Sequence, residues 1–107
     1  MRNVQNANPV EPSTGREGLC HHETADHYRG LVARLSDRWR VIVCKGNLQW
    51  VLQKRDASRA GRARWTGVQY FLTREALLRA SRAACGRIDP AALAALAALP
   101  EKFGGVA

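Results

Sequence analysis

WRVIVCKGNLQWVLQK, residues 39–54, decides the fold. Two β-rich runs, Trp39–Lys45 and Leu48–Lys54, flank Gly46-Asn47, a pair that reads as the tight turn of a hairpin. The register follows from that loop by arithmetic. Val43 faces Trp50, Val41 faces Leu52 and Trp39 faces Lys54; at the alternate positions Cys44 faces Gln49, Ile42 faces Val51 and Arg40 faces Gln53. One face then carries Trp39, Val41, Val43, Leu48, Trp50 and Leu52. The other carries Arg40, Gln49 and Gln53 around Ile42, Cys44 and Val51. A slip of one residue would move every side chain to the opposite face, so the clean separation supports the hairpin independently of its turn.

Downstream, residues 55–64 (RDASRAGRAR) read as a loop, and Trp65–Leu72 reads as a third strand with Val68, Tyr70 and Leu72 on one face. Thr73 is placed to cap a helix, TREALLRASRAAC, that Gly86 stops. Leu77, Leu78, Ser81 and Cys85 share one side of it. Asp89-Pro90 is an N-cap followed by proline at the first helical position, opening AALAALAAL before Pro100, with a stripe of Leu93, Leu96 and Leu99. Upstream, Tyr28, Leu31, Val32 and Leu35 fall at i, i+3, i+4 and i+7, which predicts a helix over about Glu23–Leu35, weakened by Gly30 and ended by Ser36-Asp37.

The expected fold is therefore α+β, in the order α-β-β-β-α-α. A three-stranded antiparallel meander, with its tight hairpin at Gly46-Asn47, buries its Trp39/Trp50/Tyr70 face under the helix at 74–86. Its other face is left free or partly covered by a partner. Residues 1–20, with Pro9, Pro12, Gly15 and Gly18 and few bulky apolar side chains, read as a disordered leader; 21–100 form a single small domain and 101–107 a frayed tail.

Composition sets limits. The chain has 107 residues and is 46% hydrophobic, but much of that is alanine and aromatics make up only 7%, so the core is small. No apolar run reaches the roughly 18 residues of a membrane span, and no secretory signal precedes the domain. Cys20, Cys44 and Cys85 are odd in number and far apart, which fits a reducing cytoplasm better than a disulfide framework.

The charge is concentrated in the middle. Between Lys45 and Arg87 ten basic residues stand against Asp56 and Glu75, which accounts for the net charge of +8, because the flanks nearly cancel. Such a block suits a polyanion, nucleic acid first. Arg55, Arg59, Arg62 and Arg64 lie in the 55–64 stretch beside Lys54, with Trp65 placed to stack on a base; Arg79 and Arg82 lie on the helix. Arg40, Gln49, Gln53 and Gln69 would share the open sheet face, and Arg and Gln are side chains that read guanine and adenine edges. A solvated arginine-rich loop and an ordinary polar sheet face fit the same pattern.

Other chemistry is thinner. Cys20, His21, His22 and His27, with Glu23 and Asp26, invite a metal reading, but no second cysteine pair or H-E-x-x-H motif accompanies them, and a polar helix start explains them better. No nucleophile is held against a base, and no phosphate-cradling glycine loop or placed carboxylate pair occurs, so we expect no enzyme, no metal and no cofactor.

WRVIVCKGNLQWVLQKR, the RW–TGVQYFL–TREALLR stretch and IDPAALAALAALPE together resemble a group of short uncharacterised proteins of alphaproteobacteria and their mobile elements. That resemblance covers residues 39–100 and implies no activity. Three antiparallel strands running into Thr73-x-Glu75-Ala76 are also similar to the β-β-β-α DNA-binding domains of ethylene-response factors and of the arm-binding type in integrases. This second likeness implies a sheet face, here Arg40, Gln49, Gln53 and Gln69, turned to bases. The expectation is a non-enzymatic module binding nucleic acid, DNA before RNA, through the arginine-rich loop and the sheet face. The alternative is an interaction or inhibitor module of a mobile element, or a homodimer, using Ile42, Val51 and Phe71 beside Arg40.

Overall fold

The computed structural model describes residues 20–59 and 62–105, so the expected leader lies, apart from Cys20, outside the described residues. The fold is α+β, with an antiparallel sheet and two helices, but the sheet has four strands. The order is β1 (Leu31–Arg34), β2 (Trp39–Val43), β3 (Trp50–Arg59), β4 (Arg62–Phe71), α1 (Arg74–Cys85) and α2 (Pro90–Ala97), and the strands neighbour one another in sequence order.

The β2–β3 register is the expected one, from Trp39 opposite Lys54 to Val43 opposite Trp50. The turn is wider than the Gly46-Asn47 reading. Cys44 and Gln49 close the ladder, the Asn47 N–H donates to the Cys44 carbonyl at 2.8 Å, and Asn47 itself takes the left-handed conformation at φ 58°. Leu48 therefore leaves the core face and is exposed.

The helix expected over 23–35 does not form. Leu31–Arg34 is a strand, paired with β2 from Leu31 opposite Ile42 to Arg34 opposite Arg40. A short apolar run satisfies both periods, and here the unpaired outer edge of β2 decides between them, because its backbone groups need partners. Val43 N–H donates to the Gly30 carbonyl at 2.8 Å, and Leu35 N–H to the Trp39 carbonyl at 2.9 Å. Ser36-Asp37, read as a helix end, is instead the β1–β2 turn, with the Ser36 hydroxyl accepting from the Arg38 N–H at 3.2 Å. Gly30 is needed where it stands, since a Cβ there would come within 2.5 Å of the Tyr28 ring.

The 55–64 stretch is likewise not a loop. β3 runs to Arg59 and β4 starts at Arg62, with Arg55 opposite Trp65, Asp56 opposite Arg64 and Arg59 opposite Arg62. The paired residues of β2 end opposite Lys54, and the Arg55 N–H still donates to the Arg38 carbonyl at 2.8 Å, so the sheet narrows to a two-stranded ribbon from Asp56 outward.

β4 also changes face along its length. Leu52 pairs with Gln69 and Gln53 with Gly67, so Val68 is an extra residue in a bulge. Odd-numbered residues thus lie on one face before the bulge and on the other after it. Trp65 packs on the Arg40 face and is fully buried. Phe71, six residues on, joins the helix-side core. Tyr70, Val68 and Leu72, expected in the core, are 58%, 46% and 61% exposed.

The helices follow the sequence closely. Thr73 caps α1 by accepting from the Ala76 N–H, and Gly86 ends it at φ 73°. Asp89 caps α2 through the Ala92 N–H, with Pro90 in the first turn. Both lie on the face built from Ala33, Leu35, Val41, Trp50, Leu52 and Phe71, into which they send Leu77, Ala92 and Leu96. The tail is partly docked rather than wholly frayed: Phe103 N–H donates to the Leu72 carbonyl at 2.8 Å, and its ring meets Trp50 edge-on at 5.1 Å.

One polar atom of this layer lacks a partner. Ser81 is fully buried on α1 and its hydroxyl makes no hydrogen bond among the described residues. An unsatisfied buried hydroxyl costs about 1–3 kcal/mol, and alanine is the better helix former. Ser81→Ala should therefore stabilise the fold by about 1 kcal/mol in urea denaturation; a lowered midpoint would contradict this account.

Candidate nucleic-acid interface

The second sheet face is closed by the chain itself. Cys20 and Tyr28 form a bridge, with Cys20 N–H donating to the His27 carbonyl and Arg29 N–H to the Cys20 carbonyl, so residues 20–29 make a compact clasp. Tyr28 lies on Ile42 and Val51, and its hydroxyl donates to the Val43 carbonyl at 2.8 Å. Burial pushes the Tyr28 phenol above its usual range, with Glu23 adding to the shift.

Arg40 holds the clasp down. It is 1% exposed, and so is Gln53. The guanidinium donates from Nε to Gln53 Oε1 at 2.7 Å, from Nη1 to the Asp26 carbonyl at 3.1 Å, and from Nη2 to the carbonyls of Glu23 at 2.9 Å and Ala25 at 2.8 Å. Gln53 Nε2 donates to the same Glu23 carbonyl at 3.0 Å. The guanidinium carbon sits 4.4 Å from the centroid of the Trp65 ring, a cation–π distance. Burial pushes the Arg40 guanidinium down to about 10, with Asp26 opposing the shift, so the group stays charged near neutrality.

Trp65 and Asp26 complete the seam. Trp65 Nε1–H donates to the Asp26 carboxylate at 3.0 Å, and the Trp65 backbone N–H donates to the Thr24 carbonyl at 3.0 Å. The Trp65 hydrogen bond holds the Asp26 carboxyl below its ordinary value against the opposing effect of burial, and Arg34, Arg55 and Arg40 lower it further. Arg34, 4.0 Å from Asp26, forms the one ion pair among the described residues.

The expected site residues therefore divide. Arg40, Gln53 and the stacking candidate Trp65 are interior and turned to the clasp rather than to a ligand. Ile42 and Val51 are buried beneath Tyr28, and Phe71 is buried on the helix side, so the apolar interface drawn from these three does not exist as a surface. Gln49 is half-buried beside the β2–β3 turn. Gln69 lies on the helix side, where it lines a shallow groove of 460 Å³ with Phe71, Arg79 and Ala76, Ala80, Ala83 and Ala84 of α1. Arg82 is exposed on α1.

What remains together is the ribbon. Lys54, Arg55, Arg59, Arg62 and Arg64 stand against a single acid, Asp56, between residues 54 and 64, a net +4. Arg55, opposite Trp65, lies on the clasp face; Lys54 lies on the helix face, its ammonium 5.8 Å from the Trp39 ring centroid. Asp56 Oδ2 accepts from the Thr66 hydroxyl at 2.6 Å and forms no ion pair with Arg64, its cross-strand neighbour. Lys54 and Arg64 are exposed.

Among the described residues, no three His, Cys, Asp or Glu side chains come together as a metal site: the His21 ring faces Arg29 at 3.1 Å, and Cys20 Sγ accepts the His22 N–H. No described helix is long and apolar enough to cross a membrane. Comparison with protein-family models, curated proteins and solved structures finds no match.

The clasp residues carried one sequence signal. Ile42, Val51 and Trp65 are too apolar for a free face, and Tyr28 is the bulky apolar side chain in the polar HHETADHYR segment. Arg40→Lys tests the network, since an ammonium keeps the charge but not the planar fork of donors. It should lower stability by about 2 kcal/mol or more and shift tryptophan emission toward that of water-exposed rings. An unchanged midpoint would show that Arg40 does not hold the clasp.

Proposed function

We propose that this protein is a non-enzymatic nucleic-acid-binding module whose contact surface is the β3–β4 ribbon. The observation that carries the reading is the set of cations on that ribbon, with Lys54, Arg55 and Arg64 forming no ion pair among the described residues. Arginine is suited to phosphate oxygens by its planar fork of donors, and a strand pair presents its side chains at regular spacing. Arg79 and Arg82 add exposed positive charge on α1. The likeness to β-β-β-α DNA-binding domains favours DNA over RNA. The sheet face those domains use is occupied here by the clasp, so contact passes from the face to the ribbon.

Binding to a generic duplex should weaken steeply with salt, with a log–log slope of about −4 for four to five phosphate contacts. Arg59→Ala, Arg62→Ala and Arg64→Ala combined should reduce the slope by about 3. Binding absent at low salt, or indifferent to salt, would overturn the reading.

A second reading has its own observation. Val68 and Tyr70 are exposed along β4, an outer strand of the sheet, and residues 67–71 (GVQYF) contain no charge to discourage pairing. Antiparallel self-pairing centred on Gln69 would set Val68 against Tyr70 of a second copy and carry the two basic ribbons to opposite ends, so the occupant we assign to this edge is a second copy of the chain. Light scattering should then show a concentration-dependent dimer that Tyr70→Lys abolishes; a monomer at all concentrations rejects this reading and leaves the ribbon reading untouched.

A further inference from the structure

Granting that the ribbon binds nucleic acid, the fold extends the contact surface onto residues outside the basic block of the sequence. Arg34 and Arg38 precede Lys45, in a flank whose charges nearly cancel. The sheet brings them beside that block. The β2–β3 register, with Trp39 opposite Lys54, continues one step to Arg38 opposite Arg55, and the Arg55 N–H donates to the Arg38 carbonyl at 2.8 Å. Arg55 is in turn opposite Trp65 of β4. Two residues along β2, Arg34 is opposite Arg40 and Arg40 opposite Gln53. Two neighbouring rows of the clasp side, where the sheet gives way to the ribbon, therefore bring together Arg34, Arg38, Arg40 and Arg55.

These arginines are not equally employed. Arg40 is interior, its donors taken by Gln53 and by the carbonyls of the clasp. Arg34 is exposed, with its guanidinium 4.0 Å from Asp26 and 5.2 Å from the centroid of the Trp65 ring. Arg38 is exposed and Arg55 half-buried, and neither side chain makes a hydrogen bond or ion pair among the described residues. Like charges directly opposite each other on paired strands repel, so this pair opposes the sheet that holds it. The neighbouring acids do not quench it. Asp37, next to Arg38 in the turn, forms no ion pair among the described residues, and Asp26 accepts the Trp65 indole N–H. Four guanidinium groups against these two carboxylates leave a net +2. A backbone phosphate lying between Arg38 and Arg55 would relieve their repulsion and accept hydrogen bonds from both planar forks. The next pair outward is Asp56 opposite the exposed Arg64, so such a seat adjoins the ribbon.

We infer that Arg38 and Arg55, bordered by Arg34, form a seat for a backbone phosphate of the bound nucleic acid, so that the contact surface runs from the ribbon to the β1–β2 turn. The test uses the full chain and a labelled random-sequence DNA duplex of about 20 base pairs, followed by fluorescence anisotropy over a range of salt. Arg38→Ala should weaken binding about fivefold or more at low salt and reduce the log–log slope by about 1. The described contacts of Arg38 are main-chain ones, its N–H to Ser36 Oγ and its carbonyl from the Arg55 N–H, and alanine keeps both. Lys45→Ala is the matched control. Lys45 belongs to the basic block of the sequence but stands in the β2–β3 turn, at the other end of the hairpin, and its loss should leave the slope as it is. Asp26→Asn removes a competing charge while its amide oxygen can still accept from the Trp65 indole, so binding should tighten about twofold or more. An Arg38→Ala protein with the parent's affinity and slope, a Lys45→Ala protein that loses as much, or an Asp26→Asn protein that binds no more tightly overturns this inference, while the ribbon reading stands on the salt dependence of the parent chain. A parent chain that fails to bind at low salt overturns both.

Discussion

A single buried guanidinium organises this molecule. Arg40 is the second residue of β2, and a buried charge there must be satisfied or it would cost several kcal/mol. The protein satisfies it with Gln53 from the neighbouring strand, three main-chain carbonyls from residues 23–26, and the ring of Trp65. Those three carbonyls belong to a segment with little apolar surface of its own beyond Tyr28. The charge therefore supplies the attachment that hydrophobic burial alone could not. Once the clasp is down, Ile42 and Val51 have their cover and the sheet has two closed faces.

Closing that face separates the arginines by role. Arg40 is structural, Arg34 joins Asp26 at the seam, and Arg74 donates to the Leu99 carbonyl at 2.7 Å between α1 and the end of α2. Arg55 and Arg64 on the ribbon make no side-chain hydrogen bond or ion pair among the described residues. The ribbon exists because β3 and β4 run past the end of β2. The bulge at Val68 serves both halves of β4, letting Trp65 reach the clasp face while Phe71 reaches the helices. A regular strand would have to forgo one of these two rings.

Local signals suffice where a local cause decides the structure. The β2–β3 register follows from alternation over a short loop, and both helices follow from their caps, Thr73 with Gly86 and Asp89 with Pro90. Tyr28, Leu31, Val32 and Leu35 fit a helical stripe, while the partner that makes residues 31–34 a strand, the edge of β2, is not a local property. The arginine- and glycine-rich 55–64 stretch resembles a loop in composition, yet the ladder of the strands behind it continues outward. The tail has the composition of a frayed end, yet Phe103 finds Trp50, more than fifty positions earlier.

The candidate site shows the same division. That positive charge gathers around residues 54–64 is a fact of the sequence, as are the residue types that suit phosphate. Which of those residues can meet a partner is not. Arg40 and Arg64 are the same amino acid, each on a strand, and nothing in their neighbours marks one as interior. The difference lies in the carbonyls of residues 23, 25 and 26, which reach Arg40 and not Arg64. Chain order and residue chemistry determined the hairpin, the caps and the charge; the tertiary structure alone decided which arginines are buried, because a charge can enter the interior only where distant backbone groups converge to replace its water.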